Sequence, residues 1–117
     1  MNKPGIVTAV PRRRLKYGEF SVIILGDVES NDDKYYRYIM AVIRGADPEP
    51  GIYITAEQDR AAGQGGTDYT MRIVMRDGAE VIGSSSDWHN LDAFANEALG
   101  IVGQLLNLSD EEPYRLM

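Results

Sequence analysis

The sequence predicts an α+β domain: an antiparallel meander of about five strands with one long C-terminal helix packed on one face. Three observations carry this. Apolar residues alternate with period two in several runs between residues 16 and 83, polar turns separate those runs, and after residue 87 the period lengthens to that of a helix. The chain has 117 residues and 44% hydrophobic residues, which suits one core of ordinary size.

The first fourteen residues carry Arg12, Arg13 and Arg14 and are expected to form a flexible basic arm. The sheet is expected over residues 15–83. Its first strand runs from Tyr17 to Leu25, where Phe20, Val22 and Ile24 fall on one side, and a polar turn through Ser30, Asn31, Asp32 and Asp33 follows. The return strand is Tyr35 to Arg44. Strict alternation puts Tyr36, Tyr38, Met40 and Val42 on the face the helix covers and Tyr35, Arg37, Ile39, Ala41 and Ile43 on the other. Gly45 to Gly51, with Pro48 and Pro50, breaks the ladder before a strand from Ile52 to about Gln58.

Tyr69 to Arg76 has the cleanest alternation, with Tyr69, Met71, Ile73 and Met75 facing one way. Asp77-Gly78 predicts a type I′ turn that returns Ala79 to Gly83 as the fifth strand. The helix is expected over residues 87–108, its first N–H groups capped from within Ser84 to Asp87. Leu91, Phe94, Ala95, Ala98, Leu99, Val102, Leu105 and Leu106 fall in its apolar arc; Asp92, Asn96, Gly100 and Gly103 lie opposite. Pro113 stops any continuation, and residues 109–117 read as an acidic tail.

Composition excludes several chemistries. The chain has no cysteine and one histidine, His89, which removes thiolate zinc sites, iron–sulfur clusters, cysteine nucleophiles and multi-histidine metal sites. No cofactor or metal is expected. Neither a signal peptide nor a membrane anchor is legible, so the expectation is a cytoplasmic protein without a membrane partner. Net charge is −6, unevenly spread: residues 1–44 hold eight cations and five carboxylates (+3), residues 45–117 four and thirteen (−9).

The face away from the helix holds Ile23, Ile39 and Val74 among its apolar residues and is too hydrophobic to stand in water. Together with Gly100 and Gly103, at which another backbone could approach closely, these residues are the candidates for a homodimer interface. The leading functional expectation is a non-enzymatic binding or interaction domain that meets a protein or small-molecule partner through this face and the loop at 59–67.

A single-stranded nucleic-acid module is the second reading. Tyr35, Arg37, Tyr53, Arg72 and Arg76 would set rings among cations on that face, next to the basic arm, although the net charge of −6 opposes a polyanion. An enzyme using His89 as general base, oriented by Asp87 or Asp92 with Ser84, Ser85 or Ser86 nearby, is the third. Gly63-Gln64-Gly65-Gly66 lacks the lysine and following helix of a phosphate loop, and Glu57 with Asp59 reads as loop solubility beside a less favoured acid/base pair.

Overall fold

The computed structural model describes residues 3–59, 68–108 and 110–116. The α+β class holds, with seven strands where five were expected. They are β1 (Ile6–Tyr17), β2 (Phe20–Ser30), β3 (Lys34–Arg44), β4 (Ile52–Asp59), β5 (Tyr69–Met75), β6 (Gly78–Ser85) and β7 (Tyr114–Arg115), with helix α1 over Leu91–Leu105. All pairings are antiparallel and the order is β6-β5-β4-β3-β2-β1-β7, a meander closed at one edge by the C-terminal strand.

The two additional strands lie at the ends of the sequence. The expected basic arm is part of a strand that begins at Ile6 and lies between β2 and β7, with Arg12, Arg13 and Arg14 inside it. The expected tail contributes β7, whose Arg115 and Tyr114 pair with Leu15 and Lys16. Backbone pairing needs no particular side chain, so neither segment shows a hydrophobic period of two.

The helix begins and ends differently from expectation. Residues Ser86–His89 form a separate 3-10 turn capped by Ser85 Oγ, and Asn90 starts α1, its side-chain oxygen accepting from the Ala93 N–H at 3.1 Å. At the far end Asn107 adopts φ 56°, the Leu108 N–H donates to the Gly103 carbonyl at 2.8 Å, and Leu108 folds back into the core. This is a Schellman stop with asparagine in the left-handed position. The β5–β6 turn also differs: Met75 pairs with Gly78, so Arg76 and Asp77 are the loop residues, and the positive φ of 148° falls on Gly78.

The first core layer lies between the sheet and α1. Val22, Ile24, Met40, Ile54, Met71, Phe94, Ala98 and Val102 are fully buried in it, and Tyr38 meets Phe94 with ring centroids 5.5 Å apart. Burying side chains of this size supplies roughly 1.5–3 kcal/mol each, the main favourable term in such a domain.

The second face forms its own cluster of Tyr36, Ile39, Ala41, Tyr53 and Val74. Three register shifts in β1–β2 and the positive φ of 47° at Asp27 bend that long hairpin, and Ile6, Leu25 and Val28 from it pack on this cluster. The Asn31 N–H donates to the Gly5 carbonyl at 2.8 Å and fastens the hairpin's far end to the β2–β3 turn. The surplus of apolar residues is thus absorbed within one chain.

Candidate functional site

Register decides which side chains meet. Tyr36 pairs with Glu57 and Tyr38 with Ala56, so Arg37 has no partner residue and β3 carries a bulge. One extra residue inverts the alternation behind it. Tyr35 and Arg37 therefore lie on the helix side, and Tyr36 on the second face, opposite to the strict-alternation expectation.

The bulge assembles a row of rings at the end of the sheet where the 3-10 turn enters α1. Tyr35 is 43% exposed, and its ring lies 6.3 Å from that of Tyr69. Tyr69 is buried and stacks on His89 at 6.0 Å with an interplanar angle of 23°. Arg37 Nε donates to the His89 carbonyl at 3.1 Å, while its guanidinium sits 4.8 Å from the Tyr38 ring centroid. Burial first, and then the neighbouring Tyr35, push the Tyr69 phenol above its ordinary range, with the Arg37 charge pulling the other way. Arg12 completes the surround: its side-chain stem and the Tyr38 ring both crowd over Gly26, where an added Cβ would meet Arg12 Cγ at 2.9 Å.

The second face holds a buried ionic cluster at the same end of the strands. Glu57 is 3% exposed; its Oε1 accepts from Thr55 Oγ1 at 2.5 Å and Arg72 Nε at 3.0 Å, and its Oε2 lies 3.9 Å from Lys34 Nζ. Asp32 accepts from the Tyr36 hydroxyl at 2.6 Å, from the Gly5 N–H at 2.9 Å and from the Lys34 N–H at 3.1 Å. Burial, then that hydrogen bond and charge, raise the Tyr36 phenol well above 10.0. Glu57 thus meets two cations and a hydroxyl, and with the Tyr36–Asp32 hydrogen bond beside it holds the second face together. Glu57 is accordingly a structural carboxylate inside the sheet, which corrects the expectation of a solubilising loop residue.

The other sequence candidates are dispersed. Tyr53 is buried in the second cluster and Arg72 is paired with Glu57. Arg76 stands in the β5–β6 turn at the opposite end of the strands, where it lines a cavity of about 290 Å³ with Asp47, Pro48, Glu49, Pro50 and Gly51. Ile39 and Val74 are fully buried within the chain and present no surface to a second copy. Gly103 faces the sheet, since a Cβ there would lie 2.5 Å from the Tyr17 hydroxyl, while Gly100 is open to solvent and Ile23 is half-buried.

His89 sits in the row of rings, exposed. Ser84 Oγ lies 3.1 Å from Thr70 Oγ1 and Ser85 Oγ caps the 3-10 turn, so both hydroxyls have partners other than the imidazole. Gly63-Gln64-Gly65-Gly66 and the rest of the expected binding loop from 60 to 67 lie outside the described residues. Among the described residues no group of three or more acidic or imidazole side chains could hold a metal ion, and no helix is long and apolar enough to cross a membrane.

Tyr69 and Tyr38 were absent from the predicted site. Their apolar-face positions read as core, which they are; only the bulge at Arg37, invisible in the residue pattern, brings Tyr35 beside them. Set against protein-family models, curated proteins and solved structures, the chain matches none.

Proposed function

We propose that the protein is a non-enzymatic binding domain whose recognition surface is the sheet end formed by Tyr35, Tyr69, His89 and Arg37. The observation that carries this is Tyr35: a tyrosine ring 43% exposed at the end of a row of rings, beside a guanidinium held in place by a backbone carbonyl. Exposed rings backed by buried ones offer rigid contact area at little entropic cost, and a positioned guanidinium adds direction. This reading replaces the expected second-face surface and does not call on self-association.

A thermal-shift panel of planar rings, sugars and small anions tests it, run on the wild type and on the double variant Tyr35→Ala/Arg37→Gln. Compounds that raise the wild-type melting temperature are expected to lose that effect in the variant. Stabilisers that work equally well on both proteins, or a panel that stabilises neither, would overturn the assignment.

A further inference from the structure

Resting on that binding reading, we infer that the ligand is a single planar ring carrying one anionic group, the chemistry shared by a nucleoside monophosphate and an aromatic carboxylate. A polyanionic chain is the alternative that the charges oppose.

The ring requirement comes from the geometry of the row. Tyr69 is buried with Tyr35 and His89 as its ring neighbours, at 6.3 and 6.0 Å, so a stacking partner adds at an exposed ring of the row, and Tyr35, 43% exposed and two residues from Arg37, is the one we assign. A ring added there would meet Tyr35 in an offset or tilted contact, at the 4.5–7 Å spacing usual for aromatic pairs.

The single anionic group follows from how the arginines nearby are engaged. Arg12 lies 3.5 Å from Asp27, and Arg13 is bonded to Asp92 at the start of α1. Arg37 donates through Nε to a neutral carbonyl and, among the described residues, has no carboxylate within 4.0 Å. Among the described residues the surface around the rings therefore offers one uncompensated guanidinium, whose remaining N–H groups match a carboxylate or phosphate edge. A polynucleotide draws its affinity from several phosphates neutralised at once, with a salt dependence to match. One such cation beside the rings, on a chain of net charge −6, supplies a single contact of that kind.

Calorimetric titration of the full chain with adenosine 5′-monophosphate and with indole-3-acetate tests the inference, with adenosine, inorganic phosphate and a ten-residue oligothymidylate as comparisons. At least one ring–anion probe is expected to bind tenfold or more tightly than adenosine or phosphate alone, and which of the two does so identifies the source. Arg37→Gln should erase that advantage, whereas Tyr35→Phe, which keeps the ring, should retain binding and Tyr35→Ala lose it.

Affinity for the ring–anion probe should fall only weakly with salt, as expected for one screened ion contact. An oligothymidylate that binds tenfold more tightly than the monophosphate, with a steep salt dependence, would overturn the single-anion inference and leave the binding surface standing. So would adenosine binding as well as its monophosphate. If neither ring–anion probe binds, the ligand class is wrong, and the thermal-shift panel decides separately whether the surface is.

Discussion

Arg37 Nε and the carbonyl oxygen of His89 lie 3.1 Å apart across 52 residues of chain. This hydrogen bond joins the bulge of β3 to the 3-10 turn that precedes α1, and the row of rings exists because both ends are held. A bulge leaves its extra residue without a ladder partner, and here that residue is used to reach the next layer.

The two helix glycines should respond oppositely to the same substitution. Gly100 has nothing within 4 Å of an added Cβ, so Gly100→Ala should stabilise by up to about 1 kcal/mol through helix propensity alone. Gly103→Ala would bring its Cβ to 2.5 Å from the Tyr17 hydroxyl, a buried group that bonds to the Leu108 carbonyl. That variant should lose roughly 1–3 kcal/mol, and urea unfolding of both measures the difference.

Breaking the buried ion cluster should cost more than replacing it. Glu57→Ala leaves Arg72 and Lys34 facing an empty, buried position and should destabilise by about 3 kcal/mol. Removing Arg72 as well should recover part of that loss, so a double-mutant cycle between Glu57→Leu and Arg72→Met should show a coupling of about 1 kcal/mol or more.

Acid should act through Asp92. The Arg13 guanidinium, by hydrogen bond and then by charge, holds this carboxyl below 3.8. A folded-state value lower than the unfolded one means stabilisation that is present above pH 3.8 and is lost as pH falls through the folded value. The unfolding midpoint of Asp92→Asn should consequently fall less steeply than wild type below pH 4, a small effect because the carboxylate is exposed.

Alkali should act through Tyr36, whose folded-state value lies above 10.0 because the phenol is buried and bonded to Asp32. The sign is reversed relative to Asp92: the contribution is complete below pH 10.0 and is lost as pH rises beyond it. Tyr36→Phe should lose about 1–2 kcal/mol at pH 7 with the hydrogen bond, yet show a shallower decline above pH 10.

Asn107 supplies the left-handed stop of α1 at φ 56°. Asn107→Gly should be neutral or mildly stabilising and Asn107→Ala should cost about 1 kcal/mol, since a β-carbon disfavours that conformation; thermal melts of the two report it.

Most of the sheet and the helix were legible because hydrophobic alternation reports burial directly: Val22, Ile24, Met40, Ile54, Met71 and Phe94 all occupy the predicted layer. What escaped was whatever backbone pairing alone determines. β7 and the first half of β1 are held by main-chain hydrogen bonds that leave no mark on composition. The bulge at Arg37 mattered more, since a shift of one residue exchanges the faces of Tyr35 and Tyr36. Tyr35 and Arg37 were grouped with Tyr53, Arg72 and Arg76, which the structure places elsewhere. The apolar second face was also read correctly as needing cover, but the bend of β1–β2 that supplies it depends on register shifts the sequence does not display.

Amide chemical-shift mapping with adenosine 5′-monophosphate and indole-3-acetate tests the recognition surface most directly. The account predicts perturbations centred on residues 34–38, 68–70 and 86–90, together with a change in emission from Trp88, the one tryptophan of the chain and a neighbour of His89. Perturbations centred on Ile23, Tyr53 and Val74, or on residues 47–51 with Arg76, would contradict it and move the site to the second face or to the opposite end of the sheet.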